Sequence, residues 1–237
     1  MKAVVINYSG NVGKTTVARH LLSPRMKNAP VIAVESINSD GTEDETIRGK
    51  HFAELLESLA ILEDAVVDVG ASNVEDFVSL MGRYQGSHED FDCFIVPTVA
   101  KHKQQSDTIS TIEALAELGV PPKHIRLVFN MVESDEKPEK LFAGLISYHA
   151  DHQNFTLNPK AVIHMNELYG SLKNSEKTIS DILNDPEDFK EKLKKATTSD
   201  EKVSLARKIA AKRLAAGVTE ELDAVFKTLF KYAPLSK

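Results

Sequence analysis

The chain has 237 residues, 42% hydrophobic and 27% charged, with a net charge of −6 and a single cysteine, Cys93. These are ordinary globular values, the length suffices for a core without staples, and one cysteine excludes a disulfide scaffold and points to a reducing compartment. No apolar run approaches the roughly 20 residues that span a bilayer, and the chain enters a strand-like run with no signal peptide ahead of it, so a soluble cytoplasmic protein is the expectation.

The first element, KAVVINY from Lys2, is a continuous apolar run of strand length, as expected for a strand covered on both faces. A glycine-containing turn follows, and Lys14 to Leu22 reads as a helix stopped before Pro24. PVIAVES reads as a second buried strand. From Phe52, apolar residues recur at Leu55, Leu56 and Leu59, the spacing of one helix face. DAVVDVG is a third strand, followed by a helix on Val74, Phe77, Val78 and Met81. DCFIVPTV is a fourth strand, and the helix on Ile109, Ile112, Leu115 and Ala116 ends at a candidate C-cap, Gly119. IRLVFNMV is a fifth strand, Pro138 opens a short helix, and KAVIHM is a candidate sixth strand.

Strands alternating with helices at this spacing predict an α/β doubly wound, mostly parallel sheet flanked by helices, with right-handed crossovers. Beyond about Asn174 the pattern is helical. Pro186 can open one helix, Asp200 to Leu214 forms another, and Thr219 can cap a third that carries Leu222, Val225, Phe226, Leu229 and Phe230 on one face. The expectation is a helical C-terminal extension packed on the sheet, because roughly 50 residues make a marginal core. Residues 187–237 hold 12 Lys/Arg against 8 Asp/Glu, net +4, while the remainder is net −10. That asymmetry permits contact with a polyanion without demanding it.

The turn after the first strand reads INYSGNVGKTT. It departs from the strict phosphate-loop pattern, which wants glycine where Tyr8 stands. Its context, after a buried strand and at the start of a helix, is nevertheless that of a phosphate loop. Amides from Gly10 to Thr16, including those of Asn11 and Val12, sit at a helix start that favours anions. Gly10 and Gly13 allow the backbone to turn inward. Lys14 adds a point charge for the outer phosphates, and the Thr15 hydroxyl can ligate Mg²⁺. The competing reading is an ordinary turn with Lys14 in solvent. Asp68 ends the third strand, where an open parallel sheet presents its ligand crevice, and can hold the metal through water; the competing role is capping the next helix. Gly70 lets an amide approach a terminal phosphate. Asn130 carries the donor and acceptor that suit an adenine edge, or else serves a strand-end turn.

These residues resemble the deviant Walker A ATPases of the ParA/MinD class. The order of NYSGNVGKTT, VAVESIN, VVDVGAS, FIVPT and LVFNMV is similar to that class from Met1 to about Val132, and more loosely to Leu183. Within it the chain looks most like the StbB-type plasmid-stability proteins. The resemblance implies residues 1–185 as a P-loop ATPase domain, with 186–237 as the helical extension. It implies an ATP/ADP- and Mg²⁺-dependent switch in plasmid partition or DNA positioning, a nucleotide-dependent homodimer, a partner protein such as a DNA-binding adaptor, and direct non-specific DNA contact. It also accounts for Tyr8, since the partition branch lacks glycine there.

Two departures matter. The class places a lysine where this chain has Ser9, and a serine cannot supply charge to a partner's phosphates. The segment ESINS puts Glu35 at the family's first acid and Ile37 at its second, which positions attacking water; Glu35 and Asn38 are the groups left to take over. With Lys14, Asp68 and Glu35 as the catalytic set, the expectation is that nucleotide binding survives and hydrolysis is slow or partner-dependent. The alternatives are an ATP-using ligase similar to dethiobiotin synthetase, for which no polar substrate pocket is evident, and a module that holds nucleotide without turnover.

Weaker signals have simpler readings. His149, Asp151 and His152 lie close together but lack further ligands at a recognised spacing, so a solvated helix end is expected. TEDET from Thr42 reads as a solvated acidic loop, with a switch loop as the alternative. The cations Lys202, Arg207, Lys208, Lys212 and Arg213 are scattered around a helix; snorkelling lysines account for them better than a single basic stripe for DNA.

Overall fold

Strand β1, Lys2–Val5, is apolar throughout its inner part because it is flanked on both sides: Ala3, Val4 and Val5 are fully buried between two neighbouring strands. The computed structural model describes residues 1–34, 45–173, 175 and 177–231. Within these, β2 is Val31–Val34, β3 Ala65–Val69, β4 Cys93–Thr98, β5 Ile125–Val132 and β6 Val162–His164. They form one six-stranded sheet in the order β2-β3-β1-β4-β5-β6, every pair parallel. The predicted doubly wound α/β fold is borne out, including the sixth strand.

The order places the functional crevice. From β1 the chain builds outward to β2 and β3 on one side, then crosses to β4, β5 and β6 on the other. The loop after β1 therefore leaves the sheet where the winding direction reverses, the place at which open α/β sheets bind ligands. Register puts Val5 level with Asp68 on one side and Ile95 on the other, so the end of β3 flanks the start of that loop.

Helix α1, Lys14–Thr16, passes into a π-helical run, Val17–Leu22, and a 3-10 turn, Ser23–Arg25. The expected stop before Pro24 is thus a change of helix type. Proline has no N–H to give to the His20 carbonyl; the Arg25 guanidinium donates there instead at 2.8 Å, and to the Leu21 carbonyl at 3.2 Å.

The helices between strands are α2, Glu45–Ala60; α3, Val74–Arg83; α4, His102–Glu117; α5, Pro138–Leu141; and α6, Ala143–His152. Their apolar faces close on the sheet in one core. Phe52 meets Phe77 edge-on at 5.6 Å, Phe91 meets Phe94 in the same manner at 5.6 Å, and Phe129 stacks on Phe142 at 4.4 Å. Gly119 ends α4 as expected. It holds φ +90° while its N–H and that of Val120 close on the Ala116 and Leu115 carbonyls.

The chain divides into two compact units, Met1–Met165 with Val225–Lys237, and Asn166–Ala224. The second holds α7, Glu167–Leu172; α8, Ile179–Leu183; α9, Phe189–Lys195; and most of α10, Ser199–Phe230. Pro186 does not open α9; Asp188 caps it, accepting from the amides of Lys190 and Glu191 at 3.0 Å each. The two helices expected at Asp200–Leu214 and after Thr219 are one. Buried Ala215, Val218, Leu222, Val225 and Leu229 keep a three-four spacing straight through Gly217, and Thr219 returns its hydroxyl to the Ala215 carbonyl at 2.7 Å rather than capping a new start.

In the first unit, buried Arg126 on β5 closes the end of α10. Its guanidinium donates to the Leu229 carbonyl at 2.8 Å and lies 4.5 Å over the Phe230 ring. A cation at a helix C-terminus is favourable, and desolvation by burial lowers the Arg126 pKa. Arg126→Met keeps the apolar stem but removes the charged donor. We expect a loss of about 2 kcal/mol in urea denaturation and new proteolysis near Phe230; unchanged stability would show that the contact contributes nothing.

Candidate functional site

The turn from Asn7 to Gly13 is held by side chains and backbone together. The Asn7 amide donates to the Pro97 carbonyl at 2.9 Å and to Thr108 Oγ1 at 2.8 Å, and its oxygen accepts from the Ser9 N–H at 2.7 Å. Val12 is fully buried, and the first helical bond runs from the Val17 N–H to the Gly13 carbonyl at 2.9 Å. No side chain caps this helix, so its first-turn amides are left for an anion.

Within this turn the two residues with left-handed backbone are Asn11, φ 58°, and Gly13, φ 85°. Gly10 does not need that conformation; a Cβ there would meet only the Ala71 Cβ at 3.9 Å. Asparagine tolerates this region better than most residues, which is why Asn11 can hold it. At Gly13 there is no such freedom: an added Cβ would lie 2.1 Å from Asn130 Nδ2.

Lys14, only 8% exposed, donates from Nζ to the carbonyls of Asn7 and Ser9 at 2.9 and 2.7 Å. It is therefore not in solvent. An ammonium has three donors; two are held by the loop and the third remains for a ligand. Burial lowers its pKa to about 8, against the opposing pull of Asp68. The Thr15 hydroxyl donates to Asp68 Oδ2 at 2.7 Å. Lys14, Thr15 and Asp68 thus converge at one helix start, with Thr16 next in the chain. Asp68 is 7% exposed, and the next long helix, α3, has its N-cap at Asn73. Gly70, at φ −57° and ψ 144°, opens the 3-10 turn Ala71–Asn73 in ordinary extended backbone.

Asn130 lies inside β5, not in a turn, and its Nδ2 donates to the Val12 carbonyl at 2.8 Å. It buttresses the loop directly. Beside it Met131 holds φ 56° and is 41% exposed, at a shift in the β5–β6 register between Phe129 and Val132. Sequence reading missed Met131, and missed Asn7. It also missed Asp107, whose carboxylate accepts the Ser9 hydroxyl, and Thr111, whose Oγ1 accepts the Tyr8 N–H at 3.1 Å. The available signal was the run Gln104, Asp107, Thr108 and Thr111, a polar stripe at the spacing of one helix face.

Glu35, Ile37 and Asn38 lie outside the described residues, as does the acidic run from Thr42 apart from the backbone that opens α2. His149 Nε2 pairs with the Phe155 carbonyl at 3.1 Å, and His152 pairs with the Tyr148 carbonyl at 3.0 Å while stacking on that ring. Among the described residues no group of three His, Cys, Asp or Glu could hold a metal ion, and no helix is long and apolar enough to cross a membrane. Of the C-terminal cations, Lys208 lies 5.1 Å over the Phe189 ring and Lys212 donates to the Asp185 carbonyl at 2.6 Å. Buried Cys93 has its thiol pushed up to about 12 by desolvation, which makes it inert.

No protein-family model and no curated protein matches the sequence. Solved structures do. The MinD cell division protein of Aquifex aeolicus is 11% identical over 100% of this chain and 99% of that one, with a TM-score of 0.55. McdA of Cyanothece in an ATP complex is 13% identical over 100% and 98%, TM-score 0.52, and apo McdA is 16% identical over 93% and 98%, TM-score 0.50. At such identities the likeness is one of fold: this is the ParA/MinD-like α/β architecture, matched over nearly its whole length.

Proposed function

We propose that the chain is a nucleotide-dependent switch of the deviant Walker A kind, closest to the StbB-type plasmid-stability proteins. In this reading it acts in the cytoplasm in plasmid partition or DNA positioning, through a partner protein. The observation that carries the reading is the 2.7 Å Thr15–Asp68 hydrogen bond beside buried Lys14 at an uncapped helix start. The McdA structure with ATP supports it by likeness of fold.

Lys14, with two donors fixed on loop carbonyls, offers its third to the outer phosphates of ATP, and the amides of Gly10 to Thr16 hold the remaining phosphate oxygens. Asn130 keeps Gly13 and Val12 in place and has a second amide hydrogen and an oxygen left for the adenine edge. Thr15 and Asp68 fit Mg²⁺. Both are oxygen donors, already adjacent, and the Thr15 hydroxyl can keep its proton on Asp68 while its lone pair faces the ion. Bound Mg²⁺ would supply charge neutralisation between the phosphates.

Hydrolysis is expected to be slow or partner-stimulated. Ser9 brings no positive charge, and its hydroxyl is donated to Asp107 of the same chain. A nucleotide-dependent homodimer and non-specific DNA contact through the C-terminal cations belong to the same proposal.

The test is solution scattering of apo, ADP-bound and ATP-analogue-bound protein with Mg²⁺, paired with single-turnover ATP hydrolysis. Association or compaction with the triphosphate alone supports a switch. Identical profiles in all three states would refute it. Binding without any turnover would identify a nucleotide-holding module.

A further inference from the structure

Helix α4 faces the phosphate loop with a polar ladder. Thr108 and Thr111 are fully buried, as are Ile112 and Leu115 on the same helix. Thr108 Oγ1 accepts from the Asn7 amide at 2.8 Å and donates to the Gln104 carbonyl at 2.6 Å. Thr111 Oγ1 accepts the Tyr8 N–H at 3.1 Å and donates to the Asp107 carbonyl at 2.7 Å. The Asp107 carboxylate takes the Ser9 hydroxyl. Three consecutive loop residues, Asn7, Tyr8 and Ser9, are thus each tied to one of three residues of α4.

Packing alone does not call for this. Valine has nearly the volume of threonine and would fill both buried positions, although at 108 it would also remove the 2.9 Å hydrogen bond between the Thr108 and buried Thr98 hydroxyls. Two of the three rungs instead end at the residues whose carbonyls hold Lys14, Asn7 O at 2.9 Å and Ser9 O at 2.7 Å, and the third ends at Tyr8 between them. Two of the three ammonium donors are therefore aimed by a limb that α4 holds in place, and the direction of the third follows from them.

We infer that Asp107, Thr108 and Thr111 are positioning residues for Lys14, acting through the Asn7–Ser9 limb. The inference rests on reading that loop as a nucleotide site and goes beyond it, because it assigns the orientation of the lysine to a helix that lies outside the motif. A loop without these rungs would still contain every residue of the phosphate motif, yet its lysine would sample several directions and bind phosphate more weakly.

The test is a fluorescence titration of the full chain with Mg²⁺ and a fluorescent ATP analogue, with thermal unfolding measured in the absence of nucleotide. Thr108→Val leaves the Asn7 amide short of an acceptor and is expected to weaken binding about tenfold. Thr108→Ser keeps the oxygen and is expected to restore most of the affinity, which a role in packing alone would not do. If wild type binds and Thr108→Val binds as tightly, the inference is overturned while the nucleotide reading stands; an equal loss in Thr108→Ser also overturns it. If wild type fails to bind, the reading of the loop fails and takes the inference with it. Should Thr108→Val not fold, Ser9→Ala decides. It severs the Asp107 rung in the loop itself, and a loss of about threefold supports the ladder, whereas unchanged affinity refutes it.

Discussion

Gly13→Ala is expected to abolish nucleotide binding and to destabilise the fold by about 2–5 kcal/mol. A non-glycine residue in left-handed backbone costs roughly 1–2 kcal/mol, and Gly13 sits at φ 85°. The new methyl would also lie 2.1 Å from Asn130 Nδ2, a contact that no relaxation of the methyl can relieve. Asn130 would have to withdraw, leaving the Val12 carbonyl and its own amide unpaired in a buried setting, at about 1–3 kcal/mol. Denaturant unfolding and an ATP titration check the two parts together. Gly10→Ala is the internal control. Its Cβ would meet Ala71 at an ordinary 3.9 Å, so stability should move little. Equal stability of Gly13→Ala and wild type would mean that the loop and β5 are not in the arrangement described.

Lys14→Ala is expected to weaken Mg-ATP binding at pH 7 by about 100-fold or more, since it removes a charge-assisted contact from a largely desolvated site. It should also change the pH profile. In the free protein Lys14 titrates at about 8, because burial outweighs the attraction of Asp68. Bound phosphates favour the ammonium and raise that value. Between the two values binding takes up a proton, so wild-type affinity falls as pH rises above about 8, and the fall is absent in Lys14→Ala.

Stability without nucleotide should run the other way. Unfolding returns Lys14 to its ordinary value of 10.5. The unfolded chain then binds more protons between about 8 and 10.5, and the contribution of this group to wild-type stability rises with pH across that window. Calorimetric titrations at pH 7 and 9 read the first effect and thermal unfolding the second. A variant that bound Mg-ATP as wild type does would remove the lysine from the site.

The fold was legible because the inner strands of the sheet carry their environment in their composition; the edge strand β2, read from its apolar run as buried, is only partly so, with Ala33 exposed. AVV in β1, AVVDV in β3 and CFIVPT in β4 are buried on both faces and read as continuous apolar runs. The amphipathic helices between them keep their apolar spacing. Where local chemistry is a short-range matter, as at the Gly119 cap, the reading matched the backbone. It failed where another residue could take over a role. Asn11, not Gly10, takes the left-handed backbone of the loop's turn, and Arg25 covers the carbonyl that Pro24 cannot reach. Thr219, expected to start a helix, instead lies in the middle of one, because an unbroken apolar spacing outweighs one good cap residue.

What the sequence by itself determined was the alternation of strand and helix, the place of the Gly-Lys-Thr turn after β1, and the carboxylate at the end of β3. These follow from burial and backbone preference over a few neighbouring residues. Only the tertiary structure decided which groups meet: Thr15 with Asp68 across 53 positions, Asn7 with Thr108 across 101, Arg126 with the Leu229 carbonyl across 103, and Asn130 with the Val12 carbonyl across 118. Those contacts depend on the order in which the strands lie side by side, and nothing in the periodicity of any one segment encodes its neighbours in space.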